Sequence, residues 1–132
     1  MAILNWLQGL VHGAGAPLED LGVEPVTSID ELNAALERSN QEPVFIFKHS
    51  TSCPVSAAAH QRVRNYLEQA GETAARIYLV KVIEARPVSN EIAQRLGITH
   101  QSPQLILVRD GKGVWNRSHG AIDAASITAA LG

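Results

Sequence analysis

Two unbroken apolar runs, "VFIFK" at residues 44–48 and "RIYLVKV" at residues 76–82, constrain this chain more than any other feature. Their β-branched and aromatic content reads as strand, and the lack of polar alternation requires cover on both faces of each. The segment between them supplies a covering helix. There Val55, Ala59, Val63, Tyr66 and Leu67 fall on one side while Gln61, Arg62, Asn65 and Glu68 point away, until Gly71 ends the pattern. Strand, helix and strand in that order make a parallel pair joined by a right-handed crossover.

The flanking segments extend the pattern. Ahead of it, "EPVT" is a short strand candidate, and Ser28 with Glu31 makes an S-x-x-E capping box before a helix face of Ile29, Leu32, Ala35 and Leu36. Behind it, past Arg86 and Pro87, Ser89 is expected to cap a helix carrying Ile92, Ala93 and Leu96, with Gly97 as its left-handed terminator. "QLILV" and "GVWN" flank "RDGK", whose Asp110 and Gly111 favour a tight turn and an antiparallel hairpin. Asp123 can cap a last helix, with Ile122 and Ile127 as a hydrophobic staple. The order reads βαβαββα: a central mixed sheet, a parallel βαβ unit, a C-terminal ββα unit and helices on both faces. This α/β arrangement is the outline of a thioredoxin-like fold.

A chain of 132 residues with 45% hydrophobic content suits one core, placed here in residues 25–132. Residues 1–24 read as an extension. In it Ile3, Leu7, Leu10 and Val11 have helical spacing ahead of the flexible "HGAGAP", and that short helix is expected to dock on its own domain. The first basic residue is Arg38 and the leading apolar run is short, which argues against a secretory signal or a membrane span. With 11 basic against 13 acidic residues and no basic run, nucleic acid is not an expected partner. His12, His60, His100 and His119 lack metal-ligand spacing, so no metal is expected and structural roles are the simpler reading.

The only cysteine, Cys53, lies in "FKHSTSCPVSAAAH". One cysteine cannot form an internal disulfide, so a reduced thiol in a cytoplasmic protein is the expectation. Pro54 fits the first helical position, which makes Cys53 the N-cap. Its sulfur is then expected to meet the free N–H groups of Val55 and Ser56 at the positive end of the helix, which favours thiolate over thiol. Lys48 and His49 are candidate electrostatic modulators, although strand geometry can turn either side chain away. Thr51 and Ser52 read equally as substrate contacts or plain loop residues. Ser56 occupies the slot of the second thiol in a C-x-x-C motif, where a hydroxyl cannot resolve a mixed disulfide. It either hydrogen-bonds the thiolate or caps the helix. The chemistry that follows is a one-thiol relay, with an adduct accepted on Cys53 and removed by a second thiol in trans.

Together "FKHSTSCPVS", "YLVKVIEARPVSNEIAQRLGITHQSPQLILVRDGK" and "VWNRSHGAI" resemble the monothiol bacilliredoxin family, over about residues 26–131. The T-x-C-P-x-S core, the R-P-x-S-N segment and the H-x-S-P-Q loop are jointly specific. The resemblance implies a thioredoxin-like fold and a thiol-disulfide oxidoreductase that takes bacillithiol from S-bacillithiolated cytosolic proteins onto Cys53. It makes Pro103 a cis-proline facing the thiol and gives Ser102 backbone groups to an extended substrate. Bacillithiol is then a co-substrate, with no tightly bound cofactor, and a small thiol or a reductase regenerates the protein as a monomer or weak dimer. Arg62, Arg64, Arg86 and Lys48 are candidates for anion contacts, with surface solvation expected for most. Two other functions stay open: an iron-sulfur carrier resembling monothiol glutaredoxins, and a non-enzymatic adaptor with an idle cysteine.

Overall fold

The computed structural model describes residues 17–132, so the helix expected over Ile3 to Val11, like His12, lies outside the described residues. Five strands, β1 (Glu24–Pro25), β2 (Val44–His49), β3 (Arg76–Lys81), β4 (Gln104–Arg109) and β5 (Lys112–Ser118), form one mixed sheet in the order β1-β3-β2-β4-β5. β2 pairs in parallel with β3 and antiparallel with β4, and β4 turns into β5 as a hairpin. The helices are α1 (Ile29–Arg38), α2 (Pro54–Ala70), α3 (Arg86–Leu96) and α4 (Ala124–Leu131). The expected order therefore runs from β2 onward, with β1 and α1 ahead of it.

Strand alternation sorts the core into two layers. On one face Phe45, Phe47, Ile77, Leu79, Leu105 and Leu107 meet Ala59, Val63 and Leu67 of α2 and Ile127 of α4. On the other, Val44, Ile46, Val80, Ile106 and Val108 meet Leu32 and Ala35 of α1 and Val88 and Ile92 of α3. Every residue of β2 is buried because it is the middle strand and is covered on both sides. Burial of each large apolar side chain contributes about 1.5–3 kcal/mol, so Phe45 and Phe47 are principal anchors of the first layer.

Local signals set the element ends. Ser28 Oγ accepts the Glu31 N–H at 3.1 Å, but the Glu31 carboxylate reaches back to the N–H and hydroxyl of Thr27 rather than to Ser28. Asp123 accepts from Ser126 N–H at 2.8 Å, and Ile122 and Ile127 are both fully buried beside that cap. Asp110 and Gly111 take φ 51° and 73°, the left-handed pair that a two-residue hairpin turn needs. Gly97 ends α3 at φ 64°.

Two expectations need correction. α3 starts at Arg86 with Ala85 as its N-cap, so Ser89 is a buried residue of the first turn, not the cap. Pro87 explains the earlier start, because a first-turn proline gives up an N–H that would have no partner there. The domain also begins before residue 25: Leu18 and Val23 are buried in the first core layer, and Glu24 pairs with Tyr78. Leu18, the first residue of a short 3-10 turn (Leu18–Leu21), and Val23, just past it, tie that part of the leading segment down.

Candidate functional site

The parallel strands β2 and β3 end at one edge of the sheet, and the loops carrying the site rise there. β2 runs through Lys48 and His49 into Ser50, Thr51 and Ser52, and α2 then starts at Pro54 with Cys53 as its N-cap in extended geometry. Proline at the helix start and an extended Cys53 are as the sequence implied. Cys53 is partly exposed, while Thr51, Ser52, Pro54 and Val55 around it are exposed. The first helical bond runs from Ala57 N–H to the Cys53 carbonyl at 2.9 Å, so Val55 and Ser56 begin a 17-residue helix with N–H groups lacking intrahelical acceptors.

The capping bond expected of the sulfur is not formed. Cys53 makes no side-chain bond to the helix start. A neutral thiol is a weak acceptor, and Pro54 at the first position donates nothing, so little fixes the sulfur over the helix. What the helix offers Cys53 is the field of its end and two free N–H groups nearby, not a formed cap.

Ser56 neither caps α2 nor reaches the sulfur. It is fully buried, and its Oγ accepts the Ser50 N–H at 2.9 Å and lies 2.6 Å from His49 Nδ1. The arrangement that gives the hydroxyl proton an acceptor has Ser56 donating to Nδ1, which puts the imidazole proton on Nε2. Burial, then His60 and Lys81, push His49 down to about 4 against the opposing Glu84. His49 is therefore uncharged at neutral pH and brings no positive potential to the thiol, which corrects that expectation. Its ring stacks on Phe47 at 5.6 Å and lies 5.0 Å from His60, also held below the usual histidine range by burial and by Arg64.

Lys48, the next residue back along the strand, projects from the opposite face. It is fully buried, and its Nζ lies 3.1 Å from His100 Nδ1. Burial pushes its amine down to about 8. His100 is exposed, stands 3.4 Å from Ser89 Oγ, and is lowered by burial, then by Lys48 and Arg86. As adjacent strand residues Lys48 and His49 face opposite sides of the sheet, and their partners, His100 for Lys48 and Ser56 and His60 for His49, are brought to them by tertiary packing.

The loop between α3 and β4 completes the edge. The Ser102–Pro103 peptide is cis, as the resemblance implied. Lys48 pairs with Gln104, so the antiparallel register sets Pro103 beside His49, four residues before Cys53. Ser102 Oγ is buried with no hydrogen-bond partner, whereas the Pro103 carbonyl accepts the His119 N–H at 3.1 Å. Gln104 is buried and ties the loop, donating to the Thr99 carbonyl at 3.1 Å. Gln104 is the last residue of the H-x-S-P-Q motif, but its burial and its tie to Thr99 have no local sequence signature. Of the arginines considered for anions, Arg62 is spent on the Ile122 and His119 carbonyls and Arg64 is buried beside Glu68, which leaves Arg86 exposed at the start of α3.

A partly exposed thiol at a helix start, next to a cis-proline loop on a mixed sheet, defines a thiol-redox protein of thioredoxin fold. Similar solved structures include a candidate oxidoreductase with a thioredoxin fold, 30% identical, with a TM-score of 0.76 over 87% of this chain and 98% of that one. Fasciola hepatica thioredoxin is 13% identical with a TM-score of 0.63, covering 83% of this chain and 96% of that one. Mitochondrial thioredoxin 3 of Saccharomyces cerevisiae is 14% identical with a TM-score of 0.62, covering 83% and 93%. A family profile described as Monothiol bacilliredoxin BrxC matches residues 24–127, and the chain belongs to that family. Thiol-disulfide oxidoreductase chemistry is the general activity of such proteins. Among the described residues no helix is long and apolar enough to cross a membrane.

Proposed function

We propose that this protein is a monothiol oxidoreductase that removes a low-molecular-weight thiol, bacillithiol by the family's name, from protein mixed disulfides through Cys53. The observation that carries the reading is a partly exposed Cys53 at the start of α2 with a buried Ser56 in the position of a resolving thiol. The Cys53 thiolate attacks the small-thiol sulfur of the mixed disulfide, that S–S bond breaks, and the client leaves as a thiolate that takes a proton from water. The new bond joins Cys53 to the small thiol. A second small thiolate then attacks the adduct, leaves as a symmetrical disulfide and restores Cys53, so the protein carries no net oxidation through the cycle.

Thr51 and Ser52 are exposed on the chain leading to the sulfur, and the Ser102 backbone is the docking point for an extended client segment, since the Pro103 carbonyl already accepts the His119 N–H. The free N–H groups of Val55 and Ser56 lie at the helix end that Cys53 heads. Partners in this reading are S-thiolated cytosolic proteins and the reducing thiol. The test is turnover on an S-bacillithiolated client: release of reduced client should stop near one equivalent per protein without added bacillithiol and become catalytic with it. Multiple turnovers without any added thiol would contradict a one-thiol relay, and absence of release with folded protein would favour an idle cysteine.

A further inference from the structure

Lys48 is a fully buried amine, and its side-chain partner is Nδ1 of His100 at 3.1 Å. Among the described residues the ion pairs engage Arg64, Arg76 and Arg95, so no carboxylate answers the Lys48 ammonium. A buried cation held only by a ring nitrogen is costly, and an apolar side chain of similar length would fill the same space without that cost. Fold stability alone therefore gives no reason for a lysine at this position.

The antiparallel register sets Lys48 directly opposite Gln104, so the two side chains stand next to each other on one face of the sheet, and both are buried. Each reaches into the loop between α3 and β4. Gln104 donates to the Thr99 carbonyl at 3.1 Å, and its own side-chain oxygen accepts the Gln101 N–H at 3.4 Å. Lys48 takes the residue between them. An ammonium can only donate, which makes His100 Nδ1 the acceptor and leaves the ring proton on Nε2. Ser89 Oγ, from the first turn of α3, stands 3.4 Å from the same nitrogen. Three successive loop residues, Thr99, His100 and Gln101, are thus fastened to the two middle strands, and the cis Ser102–Pro103 bond follows directly. His100 itself is exposed, so the bond to Lys48, and not burial, is what holds it.

We propose that Lys48 is a positioning residue for client binding: by holding His100 it fixes the loop that ends in Ser102 and Pro103, and so sets the Ser102 backbone for an extended peptide. The inference rests on the thiol-transfer reading. It adds that recognition of the peptide part of the substrate depends on Lys48, whereas the sulfur exchange at Cys53 does not. No new covalent step is required.

The test compares two donors with the same sulfur cap: a short peptide whose cysteine is in mixed disulfide with 2-mercaptoethanol, and bis(2-hydroxyethyl) disulfide, which has no backbone to dock. Adduct formation on Cys53 is followed against donor concentration. Lys48→Met should raise the half-saturating peptide concentration by about tenfold, the scale of one lost charged hydrogen bond, and lower the limiting rate by less than about twofold. With bis(2-hydroxyethyl) disulfide its rate should change by less than about twofold. His100→Leu, at an exposed position, should reproduce the peptide effect, and adding it to Lys48→Met should cost nothing more, because the two residues act through one bond. His100→Gln keeps an oxygen acceptor for the ammonium and should stay within about threefold of the unaltered protein. An unchanged half-saturating peptide concentration in either Lys48→Met or His100→Leu, or equal slowing with both donors, overturns the inference while leaving thiol transfer standing. Failure of the unaltered protein with both donors would instead sink the thiol-transfer reading. Amide hydrogen exchange then decides the clamp: exchange at Gln101 and Ser102 faster by about tenfold or more in Lys48→Met and His100→Leu supports it, and unchanged exchange refutes it.

Discussion

Mild acid should destabilise this protein well before its carboxylates are protonated, and His49 is the principal reason. Its ring is 7% exposed, packed between Phe47 and His60 and bonded to Ser56. Burial first, then His60 and Lys81, depress it to about 4 from an ordinary 6.5. Because the folded value lies below the unfolded one, the unfolded chain takes the proton first. The stability tied to the neutral ring is thus intact above about pH 6.5 and is lost as pH falls from there through about 4. The limiting loss is on the order of 3 kcal/mol, of which roughly 2 kcal/mol is gone by about pH 4.5. With a urea slope of about 1.5 kcal/mol per M, the unfolding midpoint should drop by roughly 1.5 M.

His60 and His100 are depressed in the same direction, so the contribution of His49 must be isolated by substitution. His49→Gln keeps an acceptor for the Ser56 hydroxyl but cannot gain charge. Urea unfolding of both proteins from about pH 7 to about pH 4.5 is the assay. The variant should begin less stable yet lose about 2 kcal/mol less across that range. Parallel losses in the two proteins would refute a buried neutral His49.

Other substitutions separate chemistry from scaffold. Cys53→Ser should abolish adduct formation while changing stability by less than about 0.5 kcal/mol, because the side chain is partly exposed and makes no cap bond; thermal unfolding checks the second half. Ser56→Ala orphans the Ser50 N–H and His49 Nδ1 together and should cost about 2–4 kcal/mol in urea unfolding, whereas a loss near zero would mean that neither bond matters. Asp123→Ala removes the cap of α4 and should cost about 1 kcal/mol by calorimetry.

The fold was legible where one physical rule dominated. Continuous apolar runs identified β2 and β3 as doubly covered strands, and Asp110 with Gly111 announced the hairpin, because few residues tolerate that backbone. The start of α3 was misread because a serine three residues into a helix looks like a cap unless the first-turn proline is weighted. At the site, the place of Cys53 at the head of α2 followed from Pro54 alone. The role of Ser56 did not, since a buried hydroxyl chooses among partners that only tertiary packing supplies, and His49 arrived from the preceding strand. The pairing of Lys48 with His100 spans 52 residues and has no local signature.

Intact-mass analysis of the reduced protein after brief exposure to a bacillithiolated peptide tests the central claim most directly. One bacillithiol adduct on Cys53, with an equal amount of freed peptide thiol, is the predicted result. An unmodified mass from folded protein, or an adduct of the whole peptide in place of the small thiol, would contradict the account.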